Sequence, residues 1–403
     1  MPADRRHATV EAACRQILEG NWVATAGFTA PNRRKYPWMW LWDSCFHAIA
    51  WSGLGDPRGV RELESVLSLQ LPSGFVPHMG YATNPAASLA LWHAPGRSDI
   101  TQPPMYGHAL RVLAERGFAV AHMYRAATAG LDYLFEHRRD PRSGLIRVLH
   151  PWESGWDDSP RWDGSPSAPF KERRWNKQKR ALVRSIRLRD GAAWANPCFD
   201  VGSAGFSALV AFNARELGEL TANKGLLAKA SALAEAIDGH WLDSRGTWSD
   251  VCLEGPRGTS AVRTLDALFG VLVSADAGHL DRAFAEIFER RSFWRPYGPS
   301  GTAADEPAYD PGAYWRGDAW PQEVYLVMVA AQRRGRRVAA ERLAEKLVLG
   351  CIGSGYAERW NPETGAGLGA TPQGWAALAS EGIGVLEPAG AAPLDARTPP
   401  SRR

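Results

Sequence analysis

"LLAKASALAEAIDGHW" (Leu226–Trp241) places Leu226, Leu227, Ala230, Leu233, Ile237 and Trp241 at helical spacing, along one face of an amphipathic helix. The same period recurs in Leu63, Val66 and Leu67, in Phe284, Ile287 and Phe288, and in Leu343 and Leu347. Further helices are expected near residues 8–19, 43–53, 104–115, 117–137, 203–219, 262–275, 318–333 and 373–384. Asp43 and Asp318 stand where an N-cap belongs, and Gly335 and Gly350 where a C-cap does. Strand signals are short: "WSDVCL" (248–253) and "GLIRVL" (144–149). A series of helices without a parallel-sheet pattern, and without a linker rich in Pro and Gly, predicts one all-α domain over residues 1–386. No self-similar repeat of solenoid length occurs. Long aromatic loops between the helices favour a closed ring of hairpins, with the loops of one end around a central cavity.

Composition narrows the function classes. The chain has 403 residues, 45% hydrophobic and 22% charged, which is an ordinary globular balance with room for a large core. Net charge is only +4, and no nucleic-acid module surrounds the one basic run, Lys171–Arg189. That run reads as a solvated face or as an attractor of an anionic ligand. Five scattered cysteines without a CxxC read as reduced thiols, so a cytoplasmic location is expected. No apolar signal region and no apolar run of membrane length is present, so neither secretion nor a membrane partner is expected. The tail, residues 387–403, is rich in Pro, Ala and Arg and is expected to be disordered. An assembly of identical copies is compatible with all of this.

Four loops carry the chemistry: "YPWMWLWDS" (36–44), "HPWESGWDDSPRW" (150–162), "YWRGDAW" (314–320) and "YAERWNPETGAGLGATPQGW" (356–375). They hold ten of the eighteen tryptophans, with a carboxylate or glycine close to most of them. A sugar has apolar C–H faces and a hydroxyl rim, so its pocket needs flat aromatic walls together with acids and amides. Core packing with turns accounts for the same inventory, and composition alone does not separate the two.

Cleaving a glycosidic bond takes two carboxyl groups, one to protonate the leaving oxygen and one as base or nucleophile. The loops offer Asp43, Glu153, Asp157, Asp158, Asp163, Asp318, Glu358 and Glu363. Asp43 and Asp318 could be caps, and Asp158, Asp163 and Glu363 turn residues. Asp157 after Gly155-Trp156, and Glu358 between Tyr356 and Trp360, are walled by aromatics. Such walls raise a carboxyl pKa and suit an acid. Periodicity does not choose among the eight. Other chemistries have less behind them. No HExxH occurs, His47 reads as a core histidine, and metal ligation by His47, His78 or His93 is not expected. No GxSxG elbow is present, and the glycines of "GAGLGA" read as a turn rather than a nucleotide loop.

In their order, "WMWLWDSCFHAIA", "ESGWDDSPRW", "YWRGDAW" and "ERWNPETGAGLGATPQGWAA" resemble glycoside hydrolase family 63 and its relatives, notably the bacterial mannosylglycerate and glucosylglycerate hydrolases. The likeness runs from about residue 36 to residue 380. It implies an (α/α)6 barrel, an inverting mechanism and a small α-glucoside or α-mannoside as substrate, with no cofactor and no metal. It implies Asp157 as general acid and Glu358 as general base. It implies a sugar pocket lined by Tyr36, Trp40, Trp42, Asp43, Trp152, Gly155, Tyr314, Trp315, Gly317, Trp320 and Trp375, with Gln102 and Gln373 near the aglycone. Two positions depart from the pattern: Asp318 stands where Pro is usual, and Asp158 where Asn is usual. The competing readings are a same-fold α-glucosidase for a neutral di- or oligosaccharide, a sugar epimerase, and a sugar-binding protein without turnover.

Overall fold

The computed structural model describes residues 3–163, 170–254 and 259–386; the tail expected at 387–403 lies outside them. The chain is predominantly helical. Helix α1 spans Ala3–Asn21. Consecutive pairs follow: α2 (Leu41–Gly53) with α3 (Arg58–Leu67), then α4 (Tyr106–Glu115) with α5 (Tyr124–His137). A single turn, α6 (Pro151–Ser154), precedes α7 (Glu172–Ser185). Then come α8 (Ala204–Thr221) with α9 (Lys224–Asp238), a 3-10 helix (Asp266–Leu272) with α10 (Ala277–Phe288), and α11 (Pro321–Arg333) with α12 (Arg337–Gly353). A last 3-10 turn, Gly374–Leu378, leads into α13 (Ala379–Leu386).

The first member of each pair is the more buried. In α2 every residue from Leu41 to Ser52 is buried, and α8 and α11 are buried along most of their length. Their partners bury one stripe, as Leu226, Ala230, Leu233 and Ile237 do in α9. The buried elements touch in sequence: α2 on α4, α4 on α8, α8 on Asp266–Leu272, that helix on α11, α11 on Gly374–Leu378, and that turn back on α2. Extended structure is minor. An antiparallel sheet of four short strands joins Arg147–Val148, Asp200–Gly202, Asp250–Glu254 and Thr259–Ser260, and takes in both expected strand signals. Among the described residues no helix is long and apolar enough to cross a membrane.

Some local expectations change. Helix α2 starts at Leu41 with Trp40 as its N-cap, so Asp43 is a third helical residue rather than a cap. Helix α11 starts at Pro321 after Trp320, which leaves Asp318 outside it. In both places an extended tryptophan occupies the cap: the Trp320 ring is fully buried, and the Trp40 ring packs edge to face with His78 at the cavity wall. Gly350 does not end α12, which runs on to Gly353; the missing side chain makes room for the Trp360 indole. Gly335 does follow the α11 C-cap, with φ +66°. The helix expected at 262–275 is the 3-10 helix Asp266–Leu272.

Candidate active site

The N-termini of α2 and α6 and of the turn Gly374–Leu378, with the segments that lead into α4 and α11, border one cavity of about 270 Å³. Aromatic rings line it, and Trp156 packs behind them. Trp42 on α2 meets Trp156 at 5.6 Å, Trp315 at 6.4 Å and Trp375 at 5.8 Å between ring centroids, mostly edge to face. Trp315 has a left-handed backbone (φ +60°), costly for a side chain that size, and this lays its ring flat on Trp320 at 3.6 Å. Gly155 (φ +87°) brings backbone against the Trp42 ring where a Cβ would collide.

Tyr36, Trp40, Trp42, Asp43, Gln102, Trp152, Gly155, Tyr314, Trp315, Gln373 and Trp375 all line this cavity, together with Asp157 and Glu358. Gly317 and Trp320 do not. Trp320 is fully buried behind Trp315, and Gly317 (φ +158°) packs against the Tyr309 ring. Their part is to carry the wall rather than to face into the cavity. Sequence reading missed the segment that closes one side, where His78, Met79, Tyr81, Leu91 and Trp92 line the cavity. The aromatic spacing of Tyr81 and Trp92 was the available signal, but no carboxylate accompanies it. His78 is bonded to Ser98 Oγ at 2.6 Å, and burial pushes its pKa down to about 3, so it is neutral. One neutral histidine is not the converging set that an epimerase would want.

The eight carboxylates now separate by partner. Glu153 is fully buried against Arg138, which reaches both oxygens at 2.7 and 2.9 Å. Asp158 pairs with Lys179. Asp163 takes two bonds from Arg316, at 3.1 and 2.6 Å. Asp318 accepts from Arg359 at 2.8 Å, and Glu363 from Arg295 at 2.5 and 3.0 Å. Each of these five is tied to a cation, and none lines the cavity. Asp43, Asp157 and Glu358 do.

Asp157 is part-exposed, but what it faces is the cavity, and protein surrounds it. Burial raises its pKa to about 7; Asp158 and Glu358 push it further up, while Lys179 and a hydrogen bond from Tyr314 hold it down. Its backbone is fixed by the Trp175 indole, which donates to the Asp157 carbonyl at 2.9 Å. Burial raises Asp43 to about 8, a bond from Gln373 opposing this and the charges of Glu358 and Asp157 adding to it.

Glu358 accepts three hydrogen bonds. Tyr36 Oη donates to Oε1 at 2.9 Å, and Lys35 Nζ (3.2 Å) and the Ala370 N–H (2.8 Å) to Oε2. The Trp375 indole donates to the Glu358 carbonyl at 2.9 Å. At Gly369 (φ +81°) any Cβ would strike the Glu358 carboxylate. Lys35 was not foreseen; it is presented by a turn that Asn32 ties together, Oδ1 accepting from the Arg34 and Lys35 N–H groups and Nδ2 donating to the Pro372 carbonyl. Among the described residues no group of three or more His, Cys, Asp or Glu is arranged to hold a metal.

Three carboxylates on a tryptophan-rich cavity suit a site that hydrolyses a sugar linkage. The chain is 28% identical to the mannosylglycerate hydrolase of Rubrobacter radiotolerans, over 93% of this chain and 97% of that one. It is also 28% identical to the glucosylglycerate hydrolase of Mycolicibacterium hassiacum, over 94% and 99%. Its fold matches a family 63 mannosylglycerate hydrolase of Thermus thermophilus, solved with glucose, with a TM-score of 0.78 at 24% identity, over 92% of this chain and 99% of that one. The model of the mannosylglycerate hydrolase MGH1-like glycoside hydrolase domain matches residues 36–376, which take in all four aromatic loops, and the chain belongs to that family of glycoside hydrolases.

Proposed function

We propose that this glycoside hydrolase is an inverting α-glycosidase, with residues 1–386 forming one (α/α)6 barrel and Asp157 and Glu358 as its acid and base. The cycle of contacts from α2 through α4, α8, Asp266–Leu272, α11 and Gly374–Leu378 back to α2 supports the barrel. The buried thiols of Cys14, Cys45 and Cys351 fit a cytoplasmic setting. The observation that carries the assignment is the partition of carboxylates: five are bound to Arg or Lys away from the cavity, and three line it.

Asp157, raised to about 7, is in good part protonated near neutral pH and can give its proton to the leaving oxygen. Glu358, set among donors, takes a proton from a water that attacks the opposite face of the anomeric carbon. The C–O bond to the aglycone breaks as the bond to water forms; the water's other hydrogen stays on the new anomeric hydroxyl, and exchange with solvent returns Asp157 to its protonated form and Glu358 to its ionised form. This requires the two carboxyl groups to stand about 6.5–9.5 Å apart. The Trp42, Trp315 and Trp375 rings pack the apolar face of one sugar, Asp43 meets its hydroxyls, and Gln102 and Gln373 stand toward the aglycone.

By its relatives, the substrate is a small α-glucoside or α-mannoside of glycerate. A second reading, the same reaction on a neutral disaccharide, is favoured by one observation: among the described residues lining the cavity there is no Lys or Arg. Release of reducing sugar from glucosylglycerate, mannosylglycerate, trehalose, kojibiose, isomaltose and maltose decides between them. The anomer first released, read by NMR, tests inversion: an inverting enzyme liberates the β-anomer from an α-glycoside. Turnover that survives either Asp157→Ala or Glu358→Ala would show that the wrong carboxylate has been assigned.

A further inference from the structure

The basic helix α7 lies over the loop that carries Asp157. Lys179 is 4% exposed and Asp158 is 2% exposed, and they form an ion pair. The Lys179 carbonyl accepts from His150 Nε2 at 2.9 Å, and Trp175 on the same helix donates to the Asp157 carbonyl at 2.9 Å. The segment that reads as a solvated basic face thus turns one cation inward, against the loop's second carboxylate.

We propose that Lys179 and Asp158 form a compensated charge pair, and that Lys179 is a positioning residue which keeps the neighbouring Asp157 a usable acid. A lone carboxylate beside a buried acid would make it harder to ionise, and a lone ammonium would make it easier. Present together, the two nearly cancel at Asp157 and leave the rest of the site to set its proton affinity. The groups that face Asp157 are Asp158 on its own loop, Lys179 on α7, Glu358 and Tyr314 from the two other loops, and Tyr36 and Asp43 near α2. Glu172 on α7 and Arg316 bear on Asp158 in turn, Arg316 through the Asp158 carbonyl at 3.1 Å. Only Lys179 among them is a cation that acts directly on Asp157.

The inference rests on Asp157 being the acid, and its test is the alkaline limb of the pH–activity profile. A general acid works protonated, so activity falls as pH rises through its pKa. Lys179→Met removes the cation and should move that limb up by about one pH unit; Asp158→Asn removes the anion and should move it down by a similar amount. The double variant Asp158→Asn/Lys179→Met should return the limb toward wild type from both single variants, because the two opposing charges are removed together. If Lys179→Met does not fold, Lys179→Gln, which keeps a donor for the buried carboxylate, reads the same limb. Single variants that lower Tm or kcat and leave the limb in place would reduce the pair to a structural role and overturn the proposal. Asp157→Asn serves as the control. If it abolishes turnover and the limbs do not move, only the charge pair fails; if it retains turnover, the assignment of the acid fails first.

Discussion

The two ends of the helical assembly bury much the same kinds of charge and use them in opposite ways. At the end where α2, α4 and α11 begin, Asp43, Asp157 and Glu358 share a cavity walled by tryptophans, and burial drives the first two up to about 8 and about 7. At the end where those helices finish, a cavity of about 530 Å³ is bordered by His108, Arg116, Tyr325, Arg333 and Glu381. There each acid has a base. Glu216 accepts from His108 Nδ1 at 3.1 Å and from Arg333 at 2.8 Å, and Arg116 donates to Glu381 at 2.7 Å. Burial would raise Glu216, but the hydrogen bond and charge of His108, with Arg333 and Arg111, carry it below its ordinary value. The cavity carboxylates face one another, with Lys35 on Glu358 alone, whereas each acid of the other end is held by its own base.

Single neutral substitutions at the two ends should therefore separate turnover from stability. Asp157→Asn is expected to lower kcat by about a hundredfold or more, with Tm held or raised, because a desolvated carboxylate has been removed. Glu216→Gln should do the reverse. It takes the carboxylate from the half-exposed Arg333 guanidinium and from the buried His108, at a cost of about 1–3 kcal/mol, while kcat changes less than about twofold. Thermal melts and initial rates on the same four samples, two variants and two wild-type controls, check both halves. A Glu216→Gln protein that loses its activity while keeping its Tm would break the contrast.

The ends should also respond to pH with opposite sign. Asp43 in the folded chain binds its proton up to about pH 8, whereas in the unfolded chain it releases it near its ordinary value of 3.8. Between those limits the native state holds more protons, so stability falls as pH rises through the window. Asp157, raised to about 7, and Glu62, raised to about 8, add to the same decline. Glu216 is depressed, so its contribution is present above the unfolded value of 4.5 and is lost as pH falls below it. Asp43→Asn should remove one share of the alkaline decline, and its Tm advantage over wild type should grow from pH 5 to pH 8. A Tm difference that stays constant across this range would show that Asp43 is ionised in the native state.

How far these ends were readable differs too. The reactive end announced itself, because tryptophans beside acids in loops contradict the usual sorting of residues by burial. Its helices were readable from the 3.6 period, as in Leu226 to Ile237. What sequence could not supply was partnership. Glu153 and Asp157 are four residues apart in the same loop, yet one is locked to Arg138 from α5's end and the other faces the cavity. Lys35 and Lys179 were invisible for the same reason, since each meets its carboxylate only after distant segments pack. Asp43 and Asp318 failed as caps because extended tryptophans hold those positions, a tertiary effect that overrides local preference. The paired end left no motif at all: His108, Glu216 and Arg333 come from three different helices.

The finest test lies in the wall itself, where the sequence placed Trp320 in the cavity and the structure sets it one layer behind. Trp315 spends backbone strain at φ +60° to lie flat on Trp320, with 4° between the planes. If Trp320 touched the sugar, Trp320→Phe would weaken binding as strongly as the same change at Trp315. If it only supports the ring that does, Trp320→Phe keeps an aromatic base under Trp315 and should raise KM about two- to threefold with kcat little changed, whereas Trp315→Phe should raise it about tenfold, roughly 1–1.5 kcal/mol of lost stacking. Equal effects at the two positions would put Trp320 back in contact with substrate. A graded pair of KM values would instead show that the reactive end, like the paired end, depends on residues that never meet the ligand.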